Sequence, residues 1–383
     1  MKMKNPIYLD YNATTPIDKE VADEMISIIQ NHYGNPSSSY ELGRYSKNAI
    51  EKARKQVAYL IHAKPEEIIF TSCATESNNI AIQGIGFANQ AKGKHIITSA
   101  IEHPAVIEVC KYLESTGFEI TYLPVDTKGR INPQEVESAI RPDTILITIM
   151  HANNEVGTIQ PISEIADIAK KKNILFHTDA AQSIGKIETD VEKLGVDLLT
   201  IAGHKLYAPK GIGALYVKQG TKIQKIMYGA GQEKGIRPGT ENLVHIVALG
   251  KACEVAKRDF DKNYAAMLSA KENLLAKLQA QFGVKLKVNG DPVHSLPNTL
   301  SIAFDNVEAH TLASIISDDI NISTGSACHA NSIEISSVLK AMNTDPKIAA
   351  GTIRVSTGKH TSIREVETAV TIISNTVNKL TQQ

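Results

Sequence analysis

The stretch ISEIADIAKKKNILFHTDA, residues 162–180, contains the unit from which the fold is built. Residues 162–172 have a helical pattern, and residues 173–180 have the apolar run typical of a buried strand. Six other runs predict buried strands: EEIIFTS (66–72), KHIITSA (94–100), EITYLPV (119–125), TILITIM (144–150), VDLLTIA (196–202) and GIGALYV (211–217). Strands that alternate with helices favour an α/β fold with a mostly parallel sheet and helices on both faces.

The pattern changes after about residue 240. A helical stretch over roughly 241–279 is long enough to span two domains. Beyond it, NTLSIAFDN (298–306) and TIRVSTG (352–358) predict strands, with helices between and after them. The sequence therefore predicts a large domain followed by a smaller α+β domain at the C-terminus.

The overall charge argues against a polyanionic partner. The 383 residues include 41 Lys and Arg and 41 Asp and Glu, so the formal net charge is zero. Nucleic-acid recognition by bulk charge needs a basic surplus. We expect no nucleic-acid partner on this ground.

Cysteine usage and hydropathy indicate the compartment. The four cysteines are Cys73, Cys110, Cys253 and Cys328, which is too sparse for a disulfide scaffold and lacks zinc-ribbon spacing. The start of the chain lacks the apolar segment of a signal peptide, and no apolar run is long enough to span a membrane. The sequence predicts a cytoplasmic protein without a metal site or a membrane partner.

Two charged residues follow successive predicted strands. Asp179 ends one strand, and Lys205 comes directly after the next, in AGHK. Ligands of open α/β sheets bind beyond the carboxyl ends of the strands. A pyridoxal phosphate site has two characteristic residues: an acid that faces the pyridinium nitrogen and a lysine that forms a Schiff base. The alternatives are a helix-capping aspartate and an ordinary surface lysine.

A phosphate-binding segment fits the same hypothesis. In IIFTSCATESNNIAI a strand leads through a turn into a helix that Ala74 and Thr75 would open, and free N–H groups at a helix start bind phosphate. The alternative is a capping box with Thr75 as the cap and Asn78 in the later position. His103 follows another strand, where an imidazole can stack on a flat cofactor, and Asn154 follows a further one.

The stretch STGSACHANS, residues 323–332, places Cys328 among small, turn-prone residues. Such a loop stays mobile and buries little, whereas structural cysteines usually lie in apolar runs. By itself the stretch leaves open whether Cys328 is catalytic or only a small loop residue.

The sequence resembles the cysteine desulfurases of the class V aminotransferase group, which have the fold of type I pyridoxal phosphate enzymes. Ten segments between residues 8 and 358 carry the resemblance, in family order: YLDYNATTP, YGNPSS, FTSCATESNN, EHPAV, HANNEVGTIQPI, HTDAAQSIGK, AGHKLYAPKGIG, GIRPGTEN, STGSACHA and IRVSTG. The resemblance implies a large cofactor-binding domain over 15–257 and a small domain, 1–14 with 258–383, that carries the cysteine loop.

The resemblance also implies roles around the cofactor ring. Lys205 would form the Schiff base and Asp179 would pair with the ring nitrogen. Gln182 would hydrogen-bond the ring hydroxyl, and His103 would stack on the ring and move protons.

Phosphate and substrate contacts follow from the same resemblance. Thr75, His204 and the backbone near Ala74 would hold the phosphate. Thr240 would reach it from a partner subunit, which implies a homodimer. Asn154 and Arg354 would bind the substrate carboxylate, since an arginine fork suits that group; a surface ion pair is the alternative for Arg354.

At the position of Ala202 the family usually has a hydroxyl residue that contacts the phosphate. Alanine cannot donate a hydrogen bond there. The sequence therefore predicts weaker cofactor binding, or a substitute donor.

The implied reaction converts L-cysteine to L-alanine and leaves a persulfide on Cys328, whose sulfur passes to an acceptor protein. The acceptor could serve iron–sulfur cluster assembly, thio-cofactor synthesis or transfer-RNA thiolation. Selenocysteine lyase shares these motifs. Another class V aminotransferase would not need Cys328, and a non-catalytic scaffold subunit would not need Lys205 or Cys328.

Overall fold

The structure, a computed structural model, describes residues 6–329 and 332–382; for 326–329 and 332–334 it describes the backbone alone. The strands are β1 Ile7–Tyr8, β2 Ile68–Thr71, β3 His95–Ser99, β4 Glu119–Leu123, β5 Thr144–Thr148, β6 Leu175–Asp179, β7 Leu198–Ala202, β8 Gly213–Val217, β9 Leu286–Asn289, β10 Thr299–Phe304, β11 Ile320–Asn321, β12 Ser323–Thr324, β13 Ser326–His329, β14 Ser332–Ile335 and β15 Thr352–Ser356. The helices are α1 Lys19–Asn31, α2 Glu41–Leu60, α3 Ala74–Asn89, α4 Pro104–Ser115, α5 Pro133–Ala139, α6 Ile162–Lys171, α7 Val191–Leu194, α8 Leu243–Arg258, α9 Phe260–Phe282, α10 Ala309–Ile316, α11 Ser337–Ala341, α12 Pro346–Ala350 and α13 Ile363–Thr381.

The seven predicted strands form one sheet in the order β2-β8-β7-β6-β5-β3-β4. The pairs from β7 to β4 are parallel, and β8 runs antiparallel to both of its neighbours. Five of the seven strands therefore lie in a continuous parallel array, which confirms the predicted α/β class with a mostly parallel sheet.

Both faces of this sheet are buried. Ile97 packs in one apolar core while its neighbour Ile96 packs in the core on the other side, because successive strand side chains point to opposite faces. Ile68 and Ile69 divide in the same way. This is why these strands appear in the sequence as continuous apolar runs rather than as an alternating pattern.

EITYLPV forms a strand as predicted, but the expectation that this strand is buried is wrong. In β4, Glu119 is exposed and residues 120–122 are only half-buried. The strand lies at the edge of the sheet beside β3, where one side has no neighbouring strand to cover it.

A second sheet is antiparallel, with the order β12-β15-β10-β9. Its apolar core includes residues from α9, α10 and α13, together with Leu9 from the start of the chain. The short strand β1 pairs in parallel with β11, which ties the N-terminal segment to this part of the molecule. The domain boundaries at 14/15 and 257/258 stay a prediction.

The single helix expected over 241–279 is divided in two. Helix α8 ends at Arg258 and α9 begins at Phe260, with Asp259 between them at φ −104° and ψ 18°. The two helices pack on different cores: Leu249 and Cys253 of α8 lie in the core of the large sheet, whereas Leu274 of α9 lies in that of the small sheet. One straight helix could not cover both.

The stretch predicted as the cysteine loop has regular backbone pairing. Strands β13 and β14 form an antiparallel hairpin in which Cys328 is opposite Ile333. The two residues between these strands, 330–331, lie outside the described residues, as does the side chain of Cys328. Within the described part of the chain, no helix has the length and apolarity needed to cross a membrane.

Candidate active site

A cavity of about 320 Å³ lies where the parallel strands of the large sheet end. Its volume falls within the usual range of small-molecule sites. It brings together every residue that the sequence assigned to the cofactor, the substrate or proton transfer, except Thr240 and Cys328: Ala74, Thr75, His103, Asn154, Asp179, Gln182, Ala202, His204, Lys205 and Arg354. Asn12 and Ala13 also line it.

Asp179 is the last residue of β6 and is buried. One carboxylate oxygen accepts a hydrogen bond from the Ala181 N–H at 2.9 Å, and the other accepts from Nδ2 of Asn78 at 2.8 Å. Asp179 thus stabilises a turn. The alternative of a helix-capping aspartate is wrong, because no helix begins there. Each oxygen has further acceptor capacity, so the turn bond does not exclude a ring nitrogen.

Lys205 closes the 3₁₀ turn Gly203–Lys205 that follows β7. Its Nζ donates to the carbonyl oxygens of Asn12 and, at 2.8 Å, of Ala13. Burial, followed by the positive charge of Arg354, lowers the pKa of Lys205 to about 8. A lysine in this setting is more readily the neutral amine that attacks an aldehyde, and the surface-lysine alternative does not describe it.

Two histidines face the same cavity. His103 caps α4, and its Nδ1 accepts from the Ala105 N–H at 3.1 Å, which leaves the proton of a neutral ring on Nε2. Desolvation lowers the pKa of His103, and burial with the charges of Lys205 and Lys210 lowers that of His204 to about 4. The lowered pKa values favour the neutral form of both rings.

The start of α3 fits a phosphate. The helix begins at Ala74, and Cys73 at its N-cap makes no side-chain hydrogen bond to the first turn. The early N–H groups of the helix are thus available to an anion. The alternative capping box with Thr75 is wrong, because the cap is Cys73, two residues earlier, and Asn78 instead bonds Asp179.

Arg354, on β15 of the small sheet, reaches the cavity from the opposite side. Its Nη2 donates to Asp10 Oδ1 and to Ser323 Oγ, both at 2.8 Å. The two charged side chains are 13% and 16% exposed, so this ion pair is not on the surface. The Nε of Arg354 is buried and has no hydrogen-bond partner, and a substrate carboxylate would supply the acceptor.

The sequence reasoning assigned no role to Asn12. Its carbonyl oxygen accepts from Lys205 and, at 3.0 Å, from Gln182 Nε2. Its side chain donates to the Asn154 carbonyl at 3.0 Å. Asn12 therefore joins three predicted site residues. Its motif, YLDYNATTP, was recognised. However, Asn12 bonds residues more than a hundred positions away, and such hydrogen bonds leave no local signal in the sequence.

Thr240 lies outside the cavity and is exposed, in the segment that follows the 3₁₀ turn Gln232–Gly235. That position leaves it free to contact another subunit. The hairpin with Cys328 adjoins the site through the residue that follows β14: the Ser336 hydroxyl donates to the half-buried side chain of Glu155, which is next to Asn154.

The sequence pattern of the aminotransferase class V family matches residues 7–368, most of the chain. The chain belongs to this family. A protein described as "Cysteine desulfurase IscS" from Dictyoglomus turgidum is 46% identical over 379 residues, covering 99% of this chain and 96% of that protein. A "Cysteine desulfurase IscS" from Methanosarcina thermophila is also 46% identical, over 98% and 92% of the two chains. A solved structure described as "NifS-like protein" has a TM-score of 0.92 at 39% identity, covering 98% of this chain and 100% of its own.

These similarities confirm the resemblance to cysteine desulfurases, the type I fold and the dependence on pyridoxal phosphate. The residues present fit that cofactor. Lys205 supplies an amine of lowered pKa, Asp179 a buried carboxylate, and the start of α3 unpaired N–H groups for a phosphate.

Ala202→Ser is expected to tighten cofactor retention. Ala202 is the buried last residue of β7 and lines the cavity, so a hydroxyl there can donate to the phosphate. A hydrogen bond to a charged group is worth about 1.5–3 kcal/mol. The cofactor should therefore be lost about tenfold more slowly, or slower still. The measurement is cofactor absorbance during dialysis against a competing amine. Unchanged retention would mean that another group already donates to the phosphate.

Proposed function

We propose that this chain converts L-cysteine to L-alanine and retains the sulfur as a persulfide on Cys328. The observation that supports the proposal is the meeting, in the lining of one cavity, of the side chains of Lys205, Asp179 and Arg354. Pyridoxal phosphate needs an amine to hold it and an acid to pair with its ring nitrogen. An amino acid substrate needs a cation to bind its carboxylate.

The bonds and electrons balance as follows. The Cys328 thiolate attacks the substrate sulfur, an S–S bond forms, and the substrate C–S bond breaks. The electron pair of that bond passes to the substrate β-carbon, which takes up a proton and becomes the methyl group of alanine. Pyridoxal phosphate supplies the electron sink that makes this cleavage possible.

Lys205 has two duties in this proposal. Its neutral amine would hold the cofactor, and once substrate has displaced it, the same amine would remove the α-proton. The lowered pKa of about 8 brings Lys205 close to the range in which a general base works best. Asp179 would keep the ring nitrogen protonated, and His103, whose Nδ1 accepts from the Ala105 N–H, would move protons with its Nε2.

Arg354 and Asn154 would bind the substrate carboxylate. Nη1 of Arg354 donates to the Asn154 carbonyl at 3.2 Å, so the two residues are already held together. Asp10 fixes the guanidinium from the other side. This arrangement would hold the substrate by its carboxylate.

The test uses the purified holoenzyme and L-cysteine. We expect alanine to form, and the peptide that contains Cys328 to gain the mass of one sulfur atom when the reaction is run without an added thiol. If alanine forms but the peptide gains no sulfur, the persulfide is excluded. If neither alanine nor the modified peptide forms, the reaction itself is excluded.

We also propose that the protein is a homodimer in the cytoplasm and that it transfers sulfur to an acceptor protein. Support for the dimer comes from Thr240, which is exposed in a segment that is bonded to the rest of its own subunit. In this segment Gln232 Oε1 accepts from the Gly239 N–H at 3.0 Å, and Arg237 pairs with Glu76 of α3 at 3.1 Å. Support for the compartment comes from the sparse cysteines, because a persulfide carrier must keep its thiol free.

Asp179→Asn is expected to lower the turnover of cysteine about a hundredfold or more while changing cofactor affinity far less, because a neutral amide cannot hold the ring nitrogen protonated. The substitution suits the fold: Asn78 has an unpartnered Oδ1, and rotation of its amide presents that oxygen to the new NH₂ group. The measurement is alanine production per bound cofactor. Parental turnover would reduce Asp179 to a turn-stabilising residue.

A further inference from the structure

Asn78 is a fully buried residue in the second turn of α3. Its Nδ2 donates to Asp179 Oδ2 at 2.8 Å, whereas its Oδ1 is buried and has no hydrogen-bond partner. An amide oxygen that is buried without a partner destabilises a fold, and a leucine of similar volume would avoid this cost. In the described structure, the side chain of Asn78 therefore has one polar contact, and that contact is the carboxylate assigned to the cofactor.

The orientation of the Asn78 amide follows from this contact. An ionised carboxylate has acceptors only, so it repels the oxygen end of an amide and attracts the NH₂ end. A hydrogen bond to an ionised group is about twice as strong as one between neutral groups. A donor in this position therefore stabilises the carboxylate in its charged form rather than with a proton attached.

The two oxygens of Asp179 have separate donors. Oδ1 accepts from the Ala181 N–H at 2.9 Å, in the turn that follows β6, and Oδ2 accepts from Asn78. Among the described residues, no second donor reaches Oδ2. The Ala181 bond is local and already fixes the direction of the side chain, so the loss of Asn78 would not turn the carboxylate. It would instead remove the donor that stabilises the charge on Oδ2.

We propose that Asn78 is a positioning residue which, through Asp179, keeps the shared proton on the ring nitrogen of the cofactor. Asp179 and the ring nitrogen share one proton, and the ring is the better electron sink when that proton is on nitrogen. Without the Asn78 donor, the carboxylate competes better for the proton. Asn78 is not among the residues that line the cavity, so it acts without contacting the cofactor. The inference rests on the proposed function in its assignment of Asp179 to the ring nitrogen.

The test uses the purified protein, without substrate, loaded with pyridoxal phosphate that carries ¹⁵N in its ring. The ¹⁵N resonance reports whether the ring nitrogen is protonated. Asn78→Leu keeps the size of the side chain and removes the donor, so it should move this resonance towards the value of the unprotonated ring. The loss of one charged hydrogen bond corresponds to about a tenfold change in the ratio of the two forms. An unchanged resonance would overturn the proposal.

The ³¹P resonance of the same cofactor separates this role from a structural one. The start of α3, one turn before Asn78, is the expected site of the phosphate. If Asn78 acts through Asp179, Asn78→Leu leaves the ³¹P resonance at the parental value while the ¹⁵N resonance moves. If leucine displaces the helix instead, both resonances change, and that result would also refute the proposal.

Asn89→Leu is the matched control. Asn89 is a buried asparagine at the far end of the same helix, and its Nδ2 donates to the Ile85 carbonyl at 2.9 Å. The control therefore makes the same chemical change and loses a buried hydrogen bond without touching Asp179. It should leave both resonances unchanged. A ¹⁵N shift as large as that of Asn78→Leu would count against a specific role of Asn78.

Asp179→Asn distinguishes a failure of this inference from a failure of the proposed function. If it leaves the ¹⁵N resonance at the parental value, Asp179 is not the partner of the ring nitrogen. If it moves the resonance and Asn78→Leu does not, only the role of Asn78 is refuted. If Asn78→Leu does not fold, Asn78→Ala takes its place with the same expected shifts, because alanine also lacks a donor and is small enough for the site.

Discussion

Lys205→Ala is expected to reduce alanine production to below about a thousandth of the parental rate, because it removes both the amine that attaches the cofactor and the base that takes the α-proton. No neighbouring amine can substitute. Lys186 has a comparably low pKa, but its Nζ is held behind Gln182 and Asn12. The variant should also lose the absorption of the covalently attached cofactor, which is measured on the same preparation.

The matched control for Lys205→Ala is Lys210→Ala. Lys210 is exposed and only five positions further along the chain, so its removal takes away a nearby positive charge without touching the cavity lining. It should retain near-parental turnover. Alanine production by Lys205→Ala at a rate close to that of Lys210→Ala would refute the assignment of the attaching amine.

Cys328→Ala is expected to abolish turnover of L-cysteine, because breaking the C–S bond needs a thiolate to accept the sulfur. The spectral change on mixing with L-cysteine should remain, since the residues that line the cavity are untouched. The C–Se bond of selenocysteine is weaker, and selenium can depart as the element, which leaves the electron pair of that bond on the β-carbon to take up a proton. Selenocysteine should therefore still be partly converted to alanine. Alanine formed from the two substrates by one protein preparation is the measurement.

Cys253→Ala serves as the thiol control for Cys328→Ala. Cys253 lies fully buried in α8, and burial raises the pKa of its thiol, so it is unsuited to accept sulfur. It should leave cysteine turnover close to the parental value. If Cys328→Ala still turns over cysteine, Cys328 is only a small residue in a turn. If the variant turns over neither cysteine nor selenocysteine, the proposed difference between sulfur and selenium is wrong.

The local order of strands and helices was determined by the sequence itself. Seven largely apolar runs predicted the seven strands of the large sheet, because strands buried on both faces are apolar at most positions. The residues that follow those strands, among them Asp179, His103 and Lys205, were candidate site residues for the same reason: the carboxyl ends of parallel strands meet at one edge of a sheet. The degree of burial of β4 was not predictable, because it depends on the strand's place in the sheet.

The tertiary structure decided how the candidate side chains are held. Asp10 pairs with Arg354, 344 positions away, and Asn78 bonds Asp179, 101 positions away. No periodicity or local motif reports a hydrogen bond between residues so distant in sequence. Lys186 shows the same limit: four positions after Gln182 it could have been a solvent-exposed turn lysine, and only the closure of the N-terminal segment over the sheet buries it against Asn12. Sequence determined which chemical groups are present, and packing determined which of their donors and acceptors remain free for a ligand.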